Sequence, residues 1–175
     1  MNTRDFTTVL PSLLSELING SPDLKVGTYM LNRGDEGLLK SLDKLSASAA
    51  SAVSSGGSSI AAHTDHIWYG FSLLNRWASG EKAPWKGADW TTSWKKPVVS
   101  EAEWEALRDD VRREAHAWIE ALRVPRDVNE GELGWITGSV SHLAYHVGAI
   151  RQIDRATRGP SAEEEHRLKP SVVPG

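Results

Sequence analysis

Two histidines one helical turn apart, His142 and His146 in "SVSHLAYHVGAIRQI", interrupt an apolar, helix-like run. At i, i+4 they project from one side of a helix, which lets two imidazoles reach one metal ion. The chain has six histidines. His116 sits one position off an apolar stripe and His166 lies in a polar tail, so both read as solvated or rim residues. His63 belongs to the stripe Ile60, His63, Ile67, Gly70, Leu74, the inner face of its helix. His66 lies on a neighbouring line with Trp77 and points partly aside. A buried polar group left without a partner costs about 1–3 kcal/mol. Several inward imidazoles would repeat that cost, whereas one divalent cation satisfies them together, with binding energy on the order of 10 kcal/mol at a good site. The competing reading is a set of core histidines bonded to carbonyls or hydroxyls.

The elements that must position these rings are helical. The apolar stripe Phe6, Leu10, Leu13, Leu17 predicts a helix over 3–19, ended at Gly20 and Pro22. Asn32 is placed to cap a second segment with Leu38, Leu42, Leu45 and Ala49 on one face, broken by "SSGGSS". Ser58 or Ser59 caps a third, "IAAHTDHIWYGFSLLNRWASG", stopping at Gly80. After Pro97, Ser100 and Glu103 make a capping box ahead of Trp104, Leu107, Val111, Trp118 and Leu122. Asn129 and Glu132 make another, and the last helix runs toward Gly159 and Pro160. No stretch alternates with a strand's period of two. The pattern predicts an all-α fold in a single domain.

Composition narrows the chemistry. The chain has 175 residues, enough for one sizeable core, and a net charge of -3 with both signs interspersed, which offers no field for nucleic acid. It has no cysteine, which excludes disulfides, thiolate nucleophiles and cysteine-held metals. The N-terminus carries Arg4 and Asp5 before its apolar residues, unlike a signal peptide, and no segment reaches the length of a membrane span. The expected location is cytoplasmic. No Ser-His-Asp arrangement, phosphate loop or dinucleotide fingerprint is present.

Outside the histidines, Trp85, Trp90 and Trp94 crowd the loop "WKGADWTTSW". They either cap the bundle end as a satellite core or wall a cleft, with Asp89 as a polar contact. Arg151 is placed to meet an anionic group or to sit in a salt bridge. Asp65 and Asp154 could accept an imidazole N–H or be surface charges.

With "AAHTDHIWYGF" upstream and "HLAYHVGAIRQ" downstream, the chain resembles the DinB/YfiT-like superfamily over roughly Leu31 to Arg158. The resemblance implies a four-helix bundle, here with an additional N-terminal helix (3–19) and a C-terminal tail (160–175). It also implies a three-histidine divalent metal site with open positions. His63 matches the first ligand, with His66 within a small register error of it, and His142 and His146 match the second motif. Nickel or zinc is the implied ion. The implied activity is metal-dependent hydrolysis or low-molecular-weight-thiol-dependent transfer. The expected partners are a small-molecule substrate, with a thiol cofactor as one candidate, and a homodimer as a candidate assembly; nucleic acid and membrane are not expected. The alternative is a non-catalytic bundle with a weak or vacant site, acting through a dimer or partner surface.

Overall fold

The computed structural model describes residues 3–21, 28–53, 57–94, 98–161, 163, 164 and 167. His166, Pro22 and Pro97 lie outside them, as does most of the tail. Six α-helices follow in order: α1 (Thr3–Asn19), α2 (Gly37–Asp43), α3 (Ala47–Ser51), α4 (Ile60–Ala78), α5 (Glu101–Leu122) and α6 (Glu130–Ile153). Short 3-10 turns cover Thr92–Trp94 and Arg155–Thr157. The protein is an all-α helical bundle, with no strand among the described residues. No described helix is long and apolar enough to cross a membrane.

The helix starts follow the cap chemistry in the sequence. Ser59 accepts from the Ala62 N–H at the start of α4. Ser100 with Glu103 and Asn129 with Glu132 form complete capping boxes on α5 and α6. Such a cap stabilises a helix start by about 1 kcal/mol, and here the last two fix where α5 and α6 begin.

The second segment differs from the single helix its stripe suggested. It is split into α2 and α3, and Asn32 is no cap: its side-chain amide donates to the Pro160 carbonyl at 2.8 Å. The reason lies in the backbone. Gly34 and Gly37 both take positive φ, which holds the start of α2 back to Gly37, while Lys44 ends α2 and Ser46 starts a new helix by accepting from Ala49 N–H. Gly37 and Gly20 meet back to back. A Cβ on Gly37 would lie 2.2 Å from Gly20 N, and one on Gly20 would lie 2.1 Å from the Asp35 carbonyl. Only glycine at both positions lets the end of α1 pass the start of α2.

The long helices enclose the core. α4 packs against α5 and α6, and α1 packs against the same two. Leu10, Leu14, Leu17 and Ile18 of α1 are buried, so the N-terminal helix is a working wall of the bundle. The α5 stripe Trp104, Leu107, Val111, Trp118 and Leu122 is buried throughout. Both fully buried indoles keep their polar atom satisfied, as burial requires. Trp104 Nε1 donates to the Leu45 carbonyl at 2.9 Å and Trp118 Nε1 to Ser139 Oγ at 3.1 Å. α4 is buried on nearly every side over its first eight residues, Ile60 to Ile67, and its polar members there are Thr64, Asp65 and two histidines.

Candidate metal centre

All four candidate histidines meet at the α4–α6 interface. His63 and His66 come from the first two turns of α4, and His142 and His146 from the second half of α6. His66 and His146 are 6% and 1% exposed and His63 is 7% exposed, while His142 is partly open to solvent. The two α4 rings are therefore equally sheltered, because α4 has no solvent side at this level.

Three Nε2 atoms converge. His142 Nε2 lies 2.9 Å from His146 Nε2 and 3.1 Å from His66 Nε2. Among the described residues, His66, His142 and His146 form a group whose ligand atoms all lie within 4.8 Å of one another. His63 approaches from behind: its Nδ1 is 2.8 Å from His146 Nδ1. The predicted trio His63, His142, His146 thus shares two members with this group. His63 lies beside it, joined through the far nitrogen of His146.

Proton counting tests whether this cluster suits a cation. A neutral imidazole has one N–H and one lone pair. His142 Nε2 faces two other Nε2 atoms, yet it can offer one proton or one lone pair. Among these three atoms alone, His142 Nε2 must share one proton or one lone pair between two neighbours. If each ring turns its Nε2 lone pair inward, a single cation satisfies the three. His146 then carries its proton on Nδ1 and donates it to His63 Nδ1, the backing contact that ligating histidines commonly make. The tautomers are assigned from this network.

The electrostatics agree. Burial pushes all four imidazole pKa values below the ordinary histidine value. His66 falls to about 4, by burial first and then by the neighbouring His142 and His63. His146 falls to about 3, by burial and then by His142, His63 and His66. The rings are neutral at pH 7, the state a ligand needs.

The tryptophan loop covers the cluster. Trp94 stacks on His66, with ring centroids 4.4 Å apart and planes at 25°, and meets His63 edge-on at 5.2 Å. Trp85 packs against Trp135 of α6 at 3.6 Å. A cavity of about 610 Å3 opens beside the histidines, lined by His66 and His142 at one end and by Trp85, Trp90 and Trp135. The wall reading of the loop therefore describes Trp85 and Trp90. Asp89 has a different job. Its carboxylate accepts the Thr91 and Thr92 N–H groups and its own N–H donates to Tyr69 Oη, so it shapes the loop.

The remaining sequence candidates sit away from the cluster or serve the fold. Arg151 donates to the buried Asp35 carboxylate at 2.8 Å, the salt-bridge alternative. Asp154 caps the 3-10 turn by accepting from Ala156 N–H. Asp65 is buried at 5% exposure, where a surface charge was the favoured reading. His116, on the rim as expected, pairs with Asn19 at 2.9 Å. Sequence reading missed Trp135, Gly134 and Gly138, which line the cavity. A signal was available: Gly134, Gly138, His142 and His146 follow at four-residue steps, which puts them on one face of α6.

With the geometry in hand, comparison with known families is decisive at one level. The sequence model of the DinB superfamily matches residues 30–150. The chain belongs to the DinB superfamily. No match was found among curated proteins or among solved structures. DinB membership and the buried three-histidine group together fit a metal-binding protein of the DinB type.

Proposed function

We propose that this DinB-like protein is a metal-dependent enzyme. In this reading His66, His142 and His146 hold a divalent ion through Nε2, and His63 orients His146 by accepting its Nδ1–H. The observation that carries it is the convergence of three histidine Nε2 atoms in one sheltered group. Imidazole donors suit nickel and zinc. An ion held by three protein ligands keeps positions open, and there supplies Lewis acidity and lowers the pKa of a coordinated water toward about 7.

The chain's own residues do the rest. Trp94 shields the His66 and His63 rings from water. His63 fixes the His146 tautomer. His142 is the ligand nearest solvent and the cavity, so exchange with substrate runs past it. Hydrolysis and thiol transfer both use such an ion; the solvent-open side at His142 supports hydrolysis, which needs only water as co-substrate.

The test is metal stoichiometry by equilibrium dialysis with nickel or zinc, followed by elemental analysis. His66→Ala, His142→Ala and His146→Ala should each lose stoichiometric metal. His63→Ala should still fill at saturating metal, with affinity about 10–100-fold weaker, the usual effect of removing a backing contact. Wild-type protein that takes up no divalent ion would overturn the reading. If His63→Ala abolished binding while His66→Ala retained it, the ligand set would be His63, His142 and His146.

A further inference from the structure

The cavity beside the histidines has a chemical polarity of its own. None of its lining side chains is a carboxylate, a lysine or an arginine, and its polar side-chain atoms are those of His66, His142 and Ser139 and the indole N–H groups of Trp85, Trp90 and Trp135. Ser139 is already engaged: its hydroxyl donates to the Ile136 carbonyl at 2.7 Å and accepts from Trp118 Nε1. The two imidazoles mark one end of the cavity. The remainder is indole and aliphatic surface, including Trp85, Trp90, Trp135 and Phe71. A volume of about 610 Å3 falls within the range of small-molecule sites.

The geometry points to a substrate that is neutral and amphipathic. Its apolar body, an aromatic ring system, lies among the tryptophans, and its polar head reaches the histidine end. This rests on the metal-dependent reading for the identity of the head group, but the apolar subsite stands on the lining alone. Charged arms find no partner here. A thiol co-substrate whose free carboxylates lay away from the histidine end would desolvate them against indole with no cation in return, which is costly.

Gly138 and Gly134 give a way to test the subsite without touching the ligands. Both lie mid-helix on the cavity face, and a Cβ added at either meets no atom within 4 Å. Gly138→Ala should slightly stabilise α6, since alanine is the better helix former. Gly138→Phe should fill the cavity one turn before His142.

The probes are 2-naphthol, neutral at pH 7, and naphthalene-2-sulfonate, which has the same rings and a charge. Binding is read by quenching of tryptophan fluorescence and checked by calorimetry, on metal-loaded and chelator-treated protein in parallel. The expected result is saturable one-to-one binding of 2-naphthol, with the sulfonate at least tenfold weaker. Gly138→Phe should weaken naphthol binding at least tenfold while melting temperature and metal content stay at the wild-type level. Trp135→Ala serves as the second variant and should weaken it at least fivefold. Equal or tighter binding of the sulfonate to chelator-treated protein would overturn the inference. So would naphthol binding that neither variant alters. Metal content of the same samples separates the two proposals: protein that binds naphthol but no metal keeps the subsite and loses the metal centre, and the converse result does the reverse.

Discussion

Acidification in the absence of metal should destabilise the protein steeply between pH 7 and pH 5, well before its carboxylates titrate. The perturbation is protonation of histidine in the unfolded chain. There each imidazole titrates near about 6.5. In the fold His66 is held down to about 4 and His146 to about 3. The unfolded state therefore binds more protons across this window, and stability falls as pH falls. The contribution is complete above about pH 7 and is lost progressively on the way down toward the folded values. At pH 5.5 an imidazole that protonates only when unfolded costs RT ln(1 + 10), about 1.4 kcal/mol, so His66 and His146 together cost about 3 kcal/mol. Burial shifts His63 and His142 in the same direction, so they add to this loss. Against a typical total of about 5–15 kcal/mol this is a large fraction. The assay is urea denaturation with chelator at pH 7.5, 6.5 and 5.5, followed by circular dichroism. Unfolding free energies that agree within error across that range would show that the rings already bind protons in the fold. The picture of sheltered, neutral imidazoles would then be wrong.

Other expectations concern the scaffold. Asp35→Ala should cost about 3–5 kcal/mol by chemical denaturation, because it strips the partner from the mostly buried Arg151 and from Gly37 N–H; a loss under about 1 kcal/mol would mean the pair is solvated. Gly37→Ala should destabilise by more than about 2 kcal/mol, since it combines a positive φ with a Cβ 2.2 Å from Gly20 N, and a variant melting with wild type would contradict the close passage of α1 and α2.

Much of this organisation is readable in the sequence wherever local chemistry decides. Ser59, the Ser100–Glu103 box and the Asn129–Glu132 box act on the residues beside them, and the structure uses all three. The α5 stripe was readable because one face of that helix meets solvent and the other the core, so burial follows the period. The break between α2 and α3 was harder. It falls between Lys44 and Ser46, and the late start of α2 depends on Gly34 and Gly37 adopting positive φ, which the close approach of Gly20 and Asp35 imposes from a distance. The choice between His63 and His66 was beyond periodicity altogether. A stripe argument needs a polar face for contrast, and α4 between Ile60 and Ile67 has none. What separates the two rings is which nitrogen each presents to His146 and His142, a tertiary matter.

That separation also divides the labour within the molecule. The rings that would hold an ion sit on α4 and α6, two long helices with side-chain caps at their starts, packed against each other and into the same core. Rigid elements of this kind hold side chains to the tolerance that coordination needs. The loop from Ser79 to Trp94 carries no ligand. It contributes Trp85 and Trp90 to the cavity and Trp94 to the histidines, and it is tied down through Asp89, Tyr69 and the Trp85–Trp135 contact. Substitutions in this loop should therefore alter which apolar body is accepted and leave metal stoichiometry intact, whereas substitutions on the inner faces of α4 and α6 should do the opposite. The shared points are Trp94 and Trp90 on His66, where the cover rests directly on a ligand ring. Loop closure and the position of the ligands are mechanically joined at that ring and at Trp94's tilted contact with His146, at 5.6 Å.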